Sequence, residues 1–213
     1  MAADLHDNRF DPASGIYESE AGRLARNLQS LADIDLDDRA NWDLRLTDKE
    51  QAVAKDALAA VSGRPLFVIN VGGKQAVNHW GEARWMELIA CLARQLADHS
   101  LVTVGTLQDF APSQALLDSW PTATANLCGL LSPRESAAII SHARFFVGHD
   151  SGPLHLAEAV NTPTIGLFGN NNLPGIWHPH GDHHRPLQDL RGVEFIPVER
   201  VVSTVLDIAG RSR

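Results

Sequence analysis

The stretch FFVGHDSGPLHLAEAV, residues 145–160, runs from apolar residues through Gly148-His149-Asp150-Ser151-Gly152 into a periodic segment that opens on Pro153. A short, continuously apolar run is the mark of a strand covered on both faces. Proline in the first helical position costs nothing, because the first N–H groups of a helix have no intrahelical partner. The reading is therefore a strand at 145–148, a tight turn, and a helix at 153–160. Asp150 or Ser151 is placed to cap that helix, and Gly152 lets a ligand approach the backbone. Free N–H groups at such a helix start, with the positive pole of the helix behind them, form a site for a diphosphate. His155 falls on the first turn, where it can donate a hydrogen bond or, once protonated, add a charge. An ordinary capped helix with a satisfied histidine has the same local sequence, so the junction alone does not decide between the two.

Working outward, the same alternation recurs. Strands are expected at 65–71, 101–105, 126–128 and 164–168, and helices at 82–97, 108–119, 132–142 and 197–208. Ser132-Pro133-Arg134-Glu135 is a capping box with proline in the first helical position. Strands alternating with helices at this spacing predict an α/β fold, a Rossmann-like, doubly wound parallel sheet spanning 65–213. In such a sheet, ligands sit beyond the carboxyl ends of the strands, which singles out the loops at Gly72-Gly73-Lys74, Gly105-Thr106 and 148–155. Residues 1–64 read as a tail and helical extension. A tail or loop occupies 1–17, an amphipathic helix 18–32, an Asp-rich linker carries Asp33, Asp35, Asp37 and Asp38, and Trp42, Leu44 and Leu46 alternate as in an extended segment. A second capping box at Thr47-Asp48-Lys49-Glu50 starts a helix to about residue 61.

Composition narrows the function. The 213 residues are 44% hydrophobic and 21% charged, enough for one well-buried α/β domain plus an extension but short for two full domains. A net charge of -8 argues against nucleic acid or an anionic membrane as partner, so a polyanionic ligand has to be held locally by backbone donors and a few cations. No run approaches the roughly 20 apolar residues of a membrane span, and the N-terminus lacks the profile of a signal peptide, which predicts a cytoplasmic protein. Cys91 and Cys128 have neither metal-ligand spacing nor a disulfide framework around them and read as buried thiols. His178, His180, His183 and His184 invite a metal, but the flanking Gly181, Asp182 and Pro186 suggest a mobile surface loop without fixed tetrahedral geometry, and no metal site is expected.

The run from Asn126 to Gly181 resembles the C-terminal, nucleotide-sugar-binding domain of family 9 glycosyltransferases, the ADP-heptose:lipopolysaccharide heptosyltransferases and their relatives. The matching pieces are the L-x-G at Leu127 to Gly129, the D-[ST]-G-x-x-H turn at Asp150 to His155, the x-P-x-x-x-L-F-G strand at Thr162 to Gly169 and the W-x-P at Trp177 to Pro179. Upstream, Ile69 to Gly73 and the tryptophans Trp80 and Trp85 are similar to the family's first strand, glycine turn and tryptophan-containing loop. The likeness covers about 65–210. It implies the C-terminal half of a GT-B fold and inverting transfer from a nucleoside diphosphate sugar, ADP-heptose in the family, to an acceptor hydroxyl on a glycan or glycolipid, with no cofactor or metal. By resemblance, Asp150, Ser151, Gly152 and His155 surround the diphosphate, the N–H groups of Gly72 and Gly73 face it, and Gln108 or Asp109 reaches the ribose hydroxyls. A polar helix start is the competing reading for those last two.

Two departures matter. Where relatives carry a lysine two residues before the first tryptophan, this chain has Asn78, and Gly81 replaces the usual proline. Lys74 on the same loop is then the candidate cation to neutralise the leaving diphosphate, with a solvated surface lysine as the competing reading of equal weight. The relatives' N-terminal domain supplies the acceptor site and the general base, whereas the 64 residues before Pro65 are too few for a second Rossmann domain. No catalytic base is therefore expected here, the Asp cluster reading as a charged linker. A homodimer or a separate acceptor-domain partner is implied, with a location in the cytoplasm or peripherally at the inner membrane face. The competing functional reading is a noncatalytic nucleotide-sugar-binding or assembly module. A Rossmann-type dehydrogenase is disfavoured because G-x-G-x-x-G is absent.

Overall fold

Every residue of the three central strands is buried, which is what their unbroken apolar runs require. The computed structural model describes residues 7–73 and 76–211. In chain order, a hairpin of β1 (Phe10–Asp11) and β2 (Ile16–Tyr17) leads into α1 (Glu20–Leu28) and α2 (Asp48–Ala57). There follow β3 (Leu66–Asn70), α3 (Glu82–Ala93), β4 (Ser100–Thr103), α4 (Phe110–Leu117), β5 (Thr124–Asn126), α5 (Pro133–Ser141), β6 (Phe145–His149), α6 (Gly152–Ala159), β7 (Thr164–Phe168), β8 (Arg185–Gln188) and α7 (Val198–Arg211). The sheet order is β5-β4-β3-β6-β7-β8, parallel throughout. This is the doubly wound α/β architecture expected from the alternation of strands and helices.

Side chains alternate across each strand and build two cores. On one face Phe67, Ile69, Phe145, Val147, Ile165 and Leu167 pack against α3, α4 and α7. On the other, Leu66, Val68, Phe146 and Phe168 pack against α2, α5 and α6. Phe67 anchors the first layer, stacked on Phe145 at 5.0 Å between centroids and meeting Trp120 edge-on at 5.1 Å. Burying one such ring contributes about 1.5–3 kcal/mol. Both predicted capping boxes form, at Thr47/Glu50 and at Ser132/Glu135.

The N-terminal extension is tied to this body. α2 contributes Ala54 and Leu58 to the second core, and Arg134 on α5 holds it there by pairing with Glu50 and donating to the carbonyls of Leu44 and Arg45. The neighbouring guanidinium, helped by the Thr47 backbone N–H, pulls the Glu50 carboxyl down to about 2. The segment read as a tail contains the hairpin, docked through Tyr17 N–H to Pro174 O at 2.7 Å and Glu20 N–H to Ile176 O at 2.8 Å. Trp42 ends a 3-10 turn that starts at Arg39, rather than opening a strand. The strand placed at 126–128 lies at Thr124–Asn126, and β8 was not foreseen.

Candidate crevice at the carboxyl edge of the sheet

Because the chain enters the sheet at β3, winds to one edge and returns beside β3 as β6, the strand order reverses between these two neighbours, and that switch point is where a doubly wound sheet places its ligand crevice. Its floor is built from the last residues of the two strands. Asn70 is 2% exposed; its Nδ2 donates to Val104 O at 2.9 Å, and its Oδ1 accepts the Ser151 hydroxyl at 3.1 Å. One side chain thus joins the ends of β3 and β4 to the turn after β6. His149 is fully buried: its Nε2 accepts the Trp80 N–H at 3.0 Å, so its Nδ1 carries the proton and donates to Gly72 O at 3.3 Å. Burial outweighs the Gly72 hydrogen bond and pushes its pKa down to about 4, so the ring is neutral at physiological pH. It is a staple between the glycine turn and the tryptophan loop.

Above the floor, α6 starts at Gly152 with Ser151 as the N-cap residue, but Ser151 makes no side-chain capping bond. Its hydroxyl points down to Asn70 and to His149 O instead; Pro153 has no N–H and the Leu154 N–H donates to Ser151 O at 3.0 Å, so the N–H left without the cap expected from sequence is that of Gly152. Nothing lies within 4 Å of the place where a Cβ on Gly152 would stand. The entrance to the helix is therefore open. His155 sits one turn along, its Nδ1 3.3 Å from Glu158 Oε2 and its Nε2 3.8 Å from Asp150 Oδ1. Burial opposes its charge, but the Asp150 and Glu158 carboxylates together win and lift the ring to about 9, so it is an imidazolium at neutral pH. Asp150 is itself held by the side-chain amide of Asn172, and its carbonyl accepts from Asn78 Nδ2 at 3.3 Å.

The structure gathers Gly72, Gly73, Asp150, Ser151, Gly152 and His155 around this crevice. Gly72 is buried, and a Cβ there would overlap the Asp109 carboxylate, so the loops after β3 and β4 touch. Gly73 is half-buried, its carbonyl facing His79 Nε2 at 3.1 Å. Lys74 lies outside the described residues. Asp109 closes a capping box with Thr106, accepting its N–H at 2.7 Å and its hydroxyl at 2.8 Å, while Gln108 is exposed. That geometry is the polar helix start weighed as the alternative for this pair.

Sequence reasoning passed over Asn70 and His149; the available signal was a polar residue at the last position of an otherwise apolar strand, facing the switch in strand order. The histidine-rich stretch is more ordered than a mobile loop. His184 is 4% exposed and its Nδ1 meets Thr164 Oγ1 at 2.8 Å, His178 meets Gln188 Oε1 at 3.0 Å, and His180 meets Asp37 Oδ1 at 2.8 Å. Among the described residues no group of three or more His, Cys, Asp or Glu side chains is placed to hold a metal ion. No described helix is long and apolar enough to cross a membrane.

A doubly wound parallel sheet with an open helix start at its switch point defines a protein of the Rossmann-like α/β class. The model of glycosyltransferase family 9 (heptosyltransferase) matches residues 21–188, and the chain belongs to that family. It is 30% identical over 161 residues to lipopolysaccharide heptosyltransferase 3 of Escherichia coli, covering 67% of this chain and 46% of that protein. It is 30% identical over 136 residues to lipopolysaccharide heptosyltransferase 1 of Pseudomonas aeruginosa, covering 63% and 35%. Among solved structures, a family 9 glycosyl transferase from Veillonella parvula superposes with a TM-score of 0.79 at 17% identity over 91% of this chain and 60% of that one. The E. coli ADP-heptose lps heptosyltransferase II gives 0.67 at 21%, over 80% and 54%. These likenesses show the shared fold, of which this chain carries the Rossmann-like half of a GT-B arrangement. The chain spans less than half the length of the heptosyltransferase relatives whose sequences it matches.

Proposed function

We propose that the crevice binds the diphosphate of a nucleoside diphosphate sugar, ADP-heptose by likeness to the relatives, and that the chain is the donor-binding half of an inverting heptosyltransferase of lipopolysaccharide or other glycan synthesis. The observation that carries this reading is the start of α6, where the Gly152 N–H left uncapped by Ser151, an open approach at Gly152 and the imidazolium of His155 converge. In transfer, the acceptor hydroxyl oxygen bonds to the anomeric carbon as that carbon's bond to the diphosphate oxygen breaks, and the electron pair leaves with the diphosphate. Preorganised N–H donors and a cation stabilise the charge that builds there without a metal ion. The hydroxyl proton goes to a carboxylate base that, by the family likeness, belongs to an acceptor-binding unit outside this Rossmann-like body.

Isothermal calorimetry with ADP, UDP and GDP tests the reading. Binding of ADP in preference to the other two is expected, and failure of all three would overturn it. Incubation with ADP-heptose and acceptor glycan should release ADP slowly or not at all; rapid release by the purified chain would refute the missing-base argument. Asn78 favours one competing reading, a noncatalytic nucleotide-sugar-binding module, because its amide is committed to the Asp150 carbonyl where relatives carry a lysine. Tight ADP binding with no turnover, even when an acceptor-binding partner is supplied, would select that module.

A further inference from the structure

Glu158 is a buried carboxylate without a part in the site as read from sequence. It is 6% exposed and sits on the second turn of α6. A carboxylate so far from water has to be matched by donors, and the donors it has chosen are informative. Oε1 accepts the backbone N–H of His180 at 2.7 Å, and Oε2 lies 3.3 Å from His155 Nδ1. The carbonyl of the same residue accepts Arg39 Nη2 at 3.2 Å. Arg39 belongs to the linker whose Asp37 reaches the His180 ring and whose Trp42 stacks on that ring at 6.0 Å. Glu158 is thus the point where α6, the 178–184 loop and the linker meet, and its free oxygen is aimed at the ring on the crevice side.

We propose that Glu158 is a positioning residue for His155, gripping the ring by Nδ1 so that Nε2 stays turned toward the start of α6, where the diphosphate would lie. The contact from Nε2 to Asp150, at 3.8 Å, is too long for a hydrogen bond, so the Nε2 proton remains for an incoming anion. The other side of the ring is closed by Trp177, edge-on at 5.7 Å. Without the grip at Nδ1, a side chain that is 35% exposed is free to swing into solvent. The grip also sets the charge. The charged groups that face the ring are Asp150 from the turn after β6 and Glu158 from α6, with Arg39 of the linker and His180 of the loop before β8 held on the far side of Glu158 through its carbonyl and its Oε1. Of these, Asp150 and Glu158 stabilise the imidazolium against the cost of burial. The function of this grip rests on the diphosphate reading of the site; the grip itself does not.

The test is an NMR titration of the His155 ring in ligand-free protein, its signals identified by their absence in His155→Gln. In Glu158→Gln, which keeps the shape and loses the charge, the midpoint should fall by about one pH unit or more, since an opposite charge at this distance is worth a shift of that order. The pH above which ADP is released should fall by the same amount, and Glu158→Asp should restore part of both. A midpoint unmoved in Glu158→Gln, with the other histidines titrating as in the parent, would overturn the proposal. So would a lowered midpoint that leaves the pH dependence of ADP binding where it was. Should Glu158→Gln fail to fold, Glu158→Asp decides, because drawing the carboxylate back by one methylene should lower the midpoint by a smaller step. If ADP binds at no pH, the diphosphate reading falls, while the ligand-free titration still decides the grip.

Discussion

His149 and His155 stand six residues apart, on the floor of one crevice and on the helix that roofs it, and the fold makes opposite things of them. His149 ends a buried strand among Trp80, Trp85 and the glycine turn, has backbone partners on both nitrogens, and is kept neutral at about 4. His155 lies on the first turn of α6 between two carboxylates, and its charge is kept to about 9. The residue type is the same, but one side chain is spent on holding two loops together and the other remains available to an anion. A histidine beside this crevice is thus defined by what its two nitrogens already hold.

The contrast breaks most visibly at the floor. His149→Ala should cost about 3–5 kcal/mol in urea unfolding, because it leaves the Trp80 N–H and the Gly72 carbonyl buried without their partner and opens a cavity under both loops. A loss below about 1 kcal/mol would mean that the loops hold themselves and that the staple is incidental. His155→Gln should act mainly on binding. It gives up the charge that Asp150 and Glu158 stabilise and so some stability at neutral pH, though less than His149→Ala because the amide can still donate to Glu158. ADP affinity should weaken about 10- to 100-fold, the worth of one hydrogen bond from a charged donor to an anion. Equal affinity in that variant would remove His155 from the site.

The two rings also sharpen the comparison through pH, again with opposite signs. A histidine takes up a proton near 6.5 in the unfolded chain, whereas folded His149 resists one until about 4. The unfolded state therefore binds more protons in that window, and stability should fall as pH drops from about 6.5 toward 4. His184, lowered by burial to about 3, adds to the same slope. His155 is raised instead, so the stability it contributes is complete below about 6.5 and is lost as pH rises through about 9, the ring itself shedding its charge around the upper end of that window. ADP affinity, followed by calorimetry from pH 7 to 10, should decline across the upper window, and His155→Gln should flatten that decline. An unchanged decline in the variant would assign the effect to another group.

How much of this could be read beforehand follows the range of the interactions. β3, β6 and β7 are legible because a strand buried on both faces needs an unbroken apolar run, and the capping boxes are legible because both partners lie within four residues. β8 is not, since Arg185-Pro186-Leu187-Gln188 holds a proline and two polar residues that an edge position tolerates. The β1–β2 hairpin has two residues per strand, and its place depends on the distant carbonyl of Pro174. In the crevice, the start of α6 and His155 are marked by local turn chemistry. The staple is not, because the Trp80 N–H that His149 accepts lies 69 residues away. Ser151 shows local chemistry overruled: a serine at the N-cap position prefers to bond its own helix, but buried Asn70 offers Oδ1, and the hydroxyl goes there instead.

The smallest expected effect is the most discriminating, because it separates an opening from a packed surface. Gly152 has ordinary backbone angles and empty space where a Cβ would go, whereas a Cβ on Gly72 would collide with Asp109. Gly152→Ala should therefore change unfolding free energy by no more than about 0.5–1 kcal/mol, and if anything upward, since alanine loses less chain entropy than glycine. The added methyl would project into the space assigned to the diphosphate. ADP affinity should drop several-fold while the pH profile set by His155 stays in place, because nothing that holds the ring has moved. Unaltered affinity in a fully folded Gly152→Ala protein would show that the anion does not approach the backbone there, and would leave His155 as a cation without a ligand beside it.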